Sequence, residues 1–189
     1  MKDYNREYPL FSLCGLNCGL CPMHIGGYCP GCGGGEGHQS CGFIRCAVHR
    51  SGEPNGGVEY CHMCDEYPCE RYAGVTEYDS FITHQNQLRN FERVKAMGID
   101  AYRAELDERI GILRQLLDGY NDGRRKNLFC LAANLLDIED LCAVMEQLHA
   151  EDGPGQSLKE KAALAAGLLS TTAKRRDIVL KLNKKPRQK

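Results

Sequence analysis

The sequence lacks an apolar segment long enough to span a bilayer, and residues 1–8 lack the apolar stretch of a signal peptide. These absences argue against a membrane protein and a secreted protein, so we expect the chain to stay in the reducing cytoplasm. The formal net charge is only −1. Such a balance excludes a general attraction of the whole chain to nucleic acid or anionic lipid.

The residue sets of several common enzyme classes are also missing. The sequence has no serine–histidine–acid set, no phosphate loop of the Walker type and no pair of carboxylates in a recognisable environment. Nucleophilic, phosphate-transfer and general acid–base chemistry depend on such sets. We therefore predict no catalytic residue, and the sequence favours a binding or adaptor role over catalysis.

Cysteine, in contrast, is abundant. Ten of the twelve cysteines lie between residues 14 and 69. Their spacings are Cys14-x3-Cys18-x2-Cys21, Cys29-x2-Cys32, Cys41-x4-Cys46 and Cys61-x2-Cys64-x4-Cys69. A two-residue gap lets one tight turn direct two sulfur atoms at one ion, so these spacings predict thiolate metal sites. A secreted disulfide scaffold is the alternative, and the expected cytoplasmic location argues against it.

One histidine joins the candidate ligands, because His38-x2-Cys41 has the same two-residue gap. The predicted metal ligands are Cys14, Cys18, Cys21, Cys29, Cys32, His38, Cys41, Cys46, Cys61, Cys64 and Cys69. Zinc, about two or three ions, is favoured because paired knuckles of this spacing close tetrahedral zinc sites. An iron–sulfur cluster is the alternative, since four thiolates also hold clusters and prolines often flank them. The spacing leaves open which cysteines share an ion.

The cysteine-rich segment has few residues with which to build an apolar core. Between residues 14 and 69 there are more glycines than large apolar residues. Ordering each residue costs about 1–2 kcal/mol of backbone entropy, whereas a structural zinc site contributes about 10–16 kcal/mol. We therefore predict that this segment depends on metal for its fold. We place a metal-binding module at residues 1–74 and a mainly helical region at residues 75–189.

The helical region shows apolar residues at helical spacing and several boundary signals. We expect a helix ending near Gly98, a second ending before Asn121, a third over residues 128–136 and a fourth capped by Asp137. Ser157-Leu158-Lys159-Glu160 is a capping-box pattern that predicts the start of a last helix. Alternation over residues 178–182 predicts a short strand, with residues 10–13 as its partner. The predicted fold class is therefore α+β.

Three motifs together resemble a known family. They are Cys14-Gly15-Leu16-Asn17-Cys18-Gly19-Leu20-Cys21-Pro22, Ile44-Arg45-Cys46-Ala47 and Cys61-x2-Cys64-Asp65-Glu66-Tyr67-Pro68-Cys69. They resemble a bacterial and archaeal cysteine-rich domain-of-unknown-function family whose members are described as zinc-binding. The resemblance covers about residues 12–72 and implies zinc sites, but no reaction.

Two other interpretations follow from parts of the sequence. Cys14-x3-Cys18-x2-Cys21 looks like the signature of radical S-adenosylmethionine enzymes, but the alternating strands and helices of their barrel do not follow it. The basic tail, residues 174–189, is able to contact nucleic acid through phosphate charge. No aromatic residues alternate with these charges for base stacking, so a solvated tail is favoured. A protein partner is the remaining expectation.

Overall fold

The computed structural model describes residues 4–35, 41–51, 58–153 and 155–186, without the side chains of residues 47–51. Within these ranges the chain is mostly helical and has no strand or sheet. The β-type pairing that occurs there is an isolated bridge between Asn5 and Gly34. The predicted α+β class, with its few short strands, is therefore wrong.

Seven α-helices and three single turns of 3₁₀-helix make up the regular structure of the described ranges. The α-helices are α1 (Pro22–Ile25), α2 (Gly42–Ser51), α3 (Gln87–Met97), α4 (Ile99–Gly119), α5 (Lys126–Leu135), α6 (Ile138–Glu151) and α7 (Leu158–Arg175). The 3₁₀ turns are Cys18–Leu20, Cys61–Met63 and Glu70–Tyr72. No helix among the described residues combines the length and the apolar character that crossing a membrane requires.

The helix boundaries follow the sequence signals closely. Gly98, with φ of 86°, ends α3. Ser157 and Glu160 form the predicted capping box of α7, in which each side chain bonds to the backbone of the other residue. The five helices predicted in the helical region are confirmed as α3 to α7, but α3 begins only at Gln87 and Asp137 precedes α6 without a side-chain capping bond.

The predicted strand at residues 178–182 and its partner at residues 10–13 do not form. The alternation is nevertheless real, because Ile178, Leu180 and Leu182 are half-buried while the residues between them are exposed. An extended segment that packs on one side produces this pattern without a hydrogen-bonded ladder. Alternating apolar residues therefore indicate burial on one side of an extended segment. In the described residues, no neighbouring strand pairs with this segment.

The basic tail is partly held in place. Asp79 N donates to Asn183 O and Asn183 N donates to Asp79 Oδ2, both at 2.7 Å. Lys184 Nζ donates to the carbonyl oxygen of Ser80 at 2.6 Å. Residues 183–184 of the basic tail are therefore bound to the protein surface and are not fully solvated.

The chain divides into two compact units. Unit one comprises Met1–Arg103 and Asn183–Lys189, and unit two comprises Ala104–Leu182. Helix α4 begins in the first unit and continues in the second. All of the predicted metal ligands belong to unit one.

The core of unit one is centred on Phe11, which is fully buried. Its ring lies 4.7 Å from that of Tyr102, 5.2 Å from that of Tyr60 and 5.8 Å from that of Phe91, measured between centroids. Three of these four rings come from outside residues 14–69. The cysteine-rich segment therefore packs against apolar side chains that lie outside it in the sequence.

Unit two is a set of helices packed through their apolar faces. Its fully buried residues include Leu113, Leu116, Phe129, Leu141, Leu148, Ala162, Ala165 and Leu169. Arg109 is also buried, with 4% exposure. Its Nη1 donates to the carbonyl oxygens of Ala133 and Leu136 at 2.9 and 2.7 Å, near the C-terminal end of α5. Glu105 accepts from its Nε at 2.7 Å, so the buried charge is paired.

Candidate metal centre

Two of the Cys-x2-Cys pairs lie in single 3₁₀ turns. Cys21 N donates to Cys18 O at 3.1 Å, and Cys64 N donates to Cys61 O at 3.0 Å. Each bond closes a turn that keeps its two cysteines close. The tight turn expected from a two-residue gap is therefore present at both pairs.

The third pair, Cys29-x2-Cys32, has a different backbone. Gly31 has φ of 101°, and a Cβ built there would lie 2.7 Å from the carbonyl oxygen of Pro9. Cys32 N donates to that same carbonyl oxygen at 2.9 Å. Only glycine fits so close to the Pro9 backbone, and this approach places Cys32 in the interior, where it is 9% exposed.

The other four cysteines of the first two motifs act electrostatically on Cys18. Desolvation by burial raises the pKa of Cys18 well above its ordinary value, and the charges of Cys32, Cys14, Cys21 and Cys29 raise it further. We name Cys14, Cys18, Cys21, Cys29 and Cys32 the first thiol group.

A second set of thiols surrounds Cys61. Burial raises the pKa of Cys61 to about 12, and the charges of Cys69, Cys46 and Cys32 raise it as well. Cys41 acts in the same way on Cys14 and Cys32. We name the remaining cysteines of the motifs the second thiol group, by their position in the sequence: Cys41, Cys46, Cys61, Cys64 and Cys69. Cys32 interacts with members of both groups, so the two groups are adjacent.

The fold holds the first cysteine loop against α3. Gln87 Nε2 donates to Cys14 O and Asn90 Nδ2 donates to Gly15 O, both at 2.9 Å. Gly15 has φ of 92°, and a Cβ there would lie 2.7 Å from Gln87 O. Tyr102 donates its hydroxyl to Asn17 Oδ1 at 3.0 Å. Side chains beyond residue 74 therefore fix the conformation of the loop that carries Cys14.

Cationic and amide donors near the sulfurs oppose the effect of burial, which raises the pKa of the thiols. The charge of Arg6 and a hydrogen bond from its side chain lower the pKa of Cys32, against the larger effect of burial, which raises it. Leu13 N donates to Cys32 Sγ at 3.4 Å, and Ile44 N donates to Cys41 Sγ at 3.3 Å. Arg6 itself is anchored by a bond of 2.6 Å from Nη1 to Phe11 O. These donors fit a group of anionic sulfur ligands.

The candidate ligand side chains of the described residues are not arranged as a coordination sphere. Within the described ranges, no three Cys, His, Asp or Glu side chains are arranged so that they could hold one ion. His38, the predicted non-cysteine ligand, lies outside the described residues. The donors therefore fit a soft metal in chemical type, and their sharing of ions stays a prediction.

Other histidines of unit one have partners away from the thiols. The ring of His62 lies 4.7 Å from that of Phe91 and 5.8 Å from that of Tyr60, and burial lowers its pKa. His24 Nδ1 lies 2.9 Å from Cys29 O. Although His62 is located between Cys61 and Cys64, it belongs to the aromatic core.

The two cysteines outside the motifs lie in unit two. Cys130 is buried, as a small core residue should be. Cys142 is only half-buried, and its Sγ lies 3.6 Å from Glu108 Oε1. All twelve cysteines are free thiols.

Sequence reasoning missed three residues near the thiols. Arg6 and Tyr72 interact with Cys32 and Cys61 respectively, and Arg71 lines a cavity beside Cys46 and Cys69. Arg71 lies two residues after Cys69, which is a usable signal. Arg6 and Tyr72 reach the sulfurs through tertiary contacts, for which spacing gives no signal.

Comparison of this chain with protein-family models, with curated proteins and with solved structures found no match in any of the three.

Proposed function

We propose that unit one is a zinc-binding module and that the protein acts by binding a partner rather than by catalysis. The observation that carries the proposal is that ten cysteines lie in unit one, with two Cys-x2-Cys pairs held in single 3₁₀ turns. Sulfur ligands favour soft metals over magnesium or calcium. The resemblance to a cysteine-rich family with zinc-binding members supports the same metal.

The charge around the thiols supports this assignment. Four thiolates around one zinc ion carry a net negative charge, and burying such a charge is unfavourable without compensation. Arg6 supplies a positive charge next to Cys32, and the amides of Leu13 and Ile44 donate to two sulfur atoms. Zinc, when bound, supplies cross-links between the turns that carry its ligands.

A structural role for the ion fits the position of the first thiol group. Cys14 and Cys32 are 7% and 9% exposed, so ligands at these sulfurs are shielded from solvent. Catalytic zinc sites keep a coordination position open to substrate, whereas structural sites are closed. Twelve free thiols also fit a reducing compartment such as the cytoplasm.

Anaerobic purification followed by metal analysis tests the proposal. We expect about two or three zinc ions per chain. Cys18→Ser and Cys61→Ser should each lower the zinc content by about one ion, because each removes a ligand from a different group. Cys142→Ser is the matched control, since Cys142 lies in unit two, and it should leave the content unchanged.

Three results would count against the proposal. Iron with acid-labile sulfide and visible charge-transfer absorption would replace zinc with an iron–sulfur cluster. A protein with no bound metal, or a zinc content that Cys142→Ser lowers as much as Cys18→Ser, would remove the metal-binding function of unit one.

A further inference from the structure

An open cavity in unit one lies beside the second thiol group, and the proposed zinc sites do not explain its lining. Its volume is about 1110 Å³, which is ample for a small molecule. Its wall includes Arg45, Cys46, Glu66, Cys69, Glu70 and Arg71. Two cations from separate elements therefore face one space.

The two arginines reach the cavity from different parts of the fold. Arg45 lies on α2, and Arg71 lies in the 3₁₀ turn Glu70–Tyr72. Both side chains are exposed. In the part of the chain that the structure describes, neither guanidinium is within ion-pair distance of a carboxylate. Each retains a planar set of donors that suits a phosphate or a carboxylate.

The position of Arg71 adds to the positive potential. Its Nη1 lies 3.2 Å from the point that a Cβ on Gly42 would occupy, and Gly42 is the first residue of α2. The N-terminal end of a helix carries a partial positive charge. A guanidinium at that end is unfavourable unless an anion compensates it.

Two carboxylates share the cavity wall and oppose an anion there. Glu66 already takes part in another interaction. Glu70 is exposed and precedes Arg71 directly. Removal of the Glu70 charge should therefore strengthen the binding of an anion, whereas removal of either arginine charge should weaken it.

We propose that this cavity binds a small molecule through an oxyanion group, with Arg45 and Arg71 as its paired cationic holders. The oxyanion belongs to a phosphate or to a carboxylate, both of which match the guanidinium fork. The proposal rests on the cavity and its two arginines, and Cys46 and Cys69 of the second thiol group line the same cavity.

Calorimetric titration of the full chain with inorganic phosphate, and separately with succinate, tests the proposal at constant ionic strength. Arg45→Gln and Arg71→Gln should each weaken binding about fivefold, and Glu70→Gln should tighten it by a similar factor. Arg114→Gln, which removes an exposed arginine from α4, is the matched control and should have no effect. The tighter of the two probes identifies the class of oxyanion.

The possible results of the titrations either support the proposed site or overturn it. Weaker binding in both arginine variants, with the control unchanged, supports the site, and circular dichroism verifies that each variant is folded. Affinities that Arg45→Gln and Arg71→Gln leave unchanged, or heats no larger than those of chloride for both probes, overturn it. Metal content measured on the same samples keeps this test independent of the zinc proposal.

Discussion

The hydroxyl of Tyr72 donates to the carbonyl oxygen of Cys14 at 3.2 Å, across 58 residues of sequence. The same hydroxyl also lowers the pKa of the Cys61 thiol, against the larger opposite effect of burial. One side chain thus contacts the loop that carries the first thiol group and the turn that begins the second. Tyr72 is itself buried, with 6% exposure, between the rings of Phe43 and Tyr67.

Tyr72→Phe should destabilise unit one by about 1 kcal/mol, the usual net contribution of one hydrogen bond. Gln87 still donates to Cys14 O, which keeps the loss small. Urea denaturation followed by tyrosine fluorescence measures the effect, because Tyr120 is the single tyrosine of the nine that lies in unit two. Tyr67→Phe is the matched control and should be nearly neutral. Equal losses in the two variants would show that the Tyr72 hydroxyl has no special role.

Gly15→Ala should destabilise unit one more strongly, by about 2–4 kcal/mol. Alanine would meet both an unfavourable φ of 92° and a Cβ contact of 2.7 Å with the backbone of Gln87. Gly27→Ala separates these causes, since Gly27 has φ of 74° but no atom within 4 Å of a built Cβ. That control should cost about 1–2 kcal/mol, through backbone strain alone. Urea denaturation followed by tyrosine fluorescence measures the loss of stability in both variants. A larger loss of stability in Gly27→Ala than in Gly15→Ala would contradict the packing argument.

Much of the fold beyond residue 81 follows from the sequence, because its helices carry their own boundary signals. Gly98 and Ser157 are examples, each acting through local backbone geometry. The 3₁₀ turns at Cys18 and Cys61 are equally local, and the two-residue spacing predicts them. By contrast, α2 lies among the cysteines without clear periodicity, and the sequence does not predict it.

The predictions that depend on contacts between residues distant in sequence were less accurate than the predictions of the helices. The alternation at residues 178–182 resembles a strand, yet a ladder requires a partner that the sequence cannot supply. The count of apolar residues between 14 and 69 missed Phe91 and Tyr102, since they join the core from α3 and α4. We therefore expect unit one to retain some aromatic packing after metal removal, although the grouping of the sulfurs should loosen.

Unit one should lose stability on acidification through two half-buried histidines, His84 and His62. Burial lowers the pKa of His84 below its ordinary value of 6.5, and its ring nitrogens lie 2.9 Å from Ser80 Oγ and 3.2 Å from Val75 O. Below pH 6.5 the unfolded chain therefore binds more protons than the folded chain. The free energy of unfolding then falls as the pH falls.

His84→Gln should reduce this dependence, and His62, whose pKa burial also lowers, should account for part of the remainder. The measurement is the urea midpoint of tyrosine fluorescence at neutral pH and again well below pH 6.5. His149→Gln, which removes an exposed histidine from α6, should leave the dependence unchanged. If the unmodified protein, His84→Gln and His149→Gln all show the same pH dependence of stability, His84 is excluded as its source.

In unit two, burial should decide how much an arginine contributes. Arg109 and Arg176 each pair with a carboxylate, but the side chain of Arg109 is 5% exposed and that of Arg176 is 53% exposed. Arg109→Ala would leave Glu105 and the carbonyl oxygens of Ala133 and Leu136 without their buried donor, at a cost of about 3–5 kcal/mol. Arg176→Ala breaks a pair in which the arginine is exposed, and it should cost much less than Arg109→Ala. Urea denaturation followed by helical circular dichroism measures the free energy of unfolding of both variants. Similar losses in the two variants would contradict the argument, because they would mean that burial of the unpaired partners does not set the contribution of an arginine.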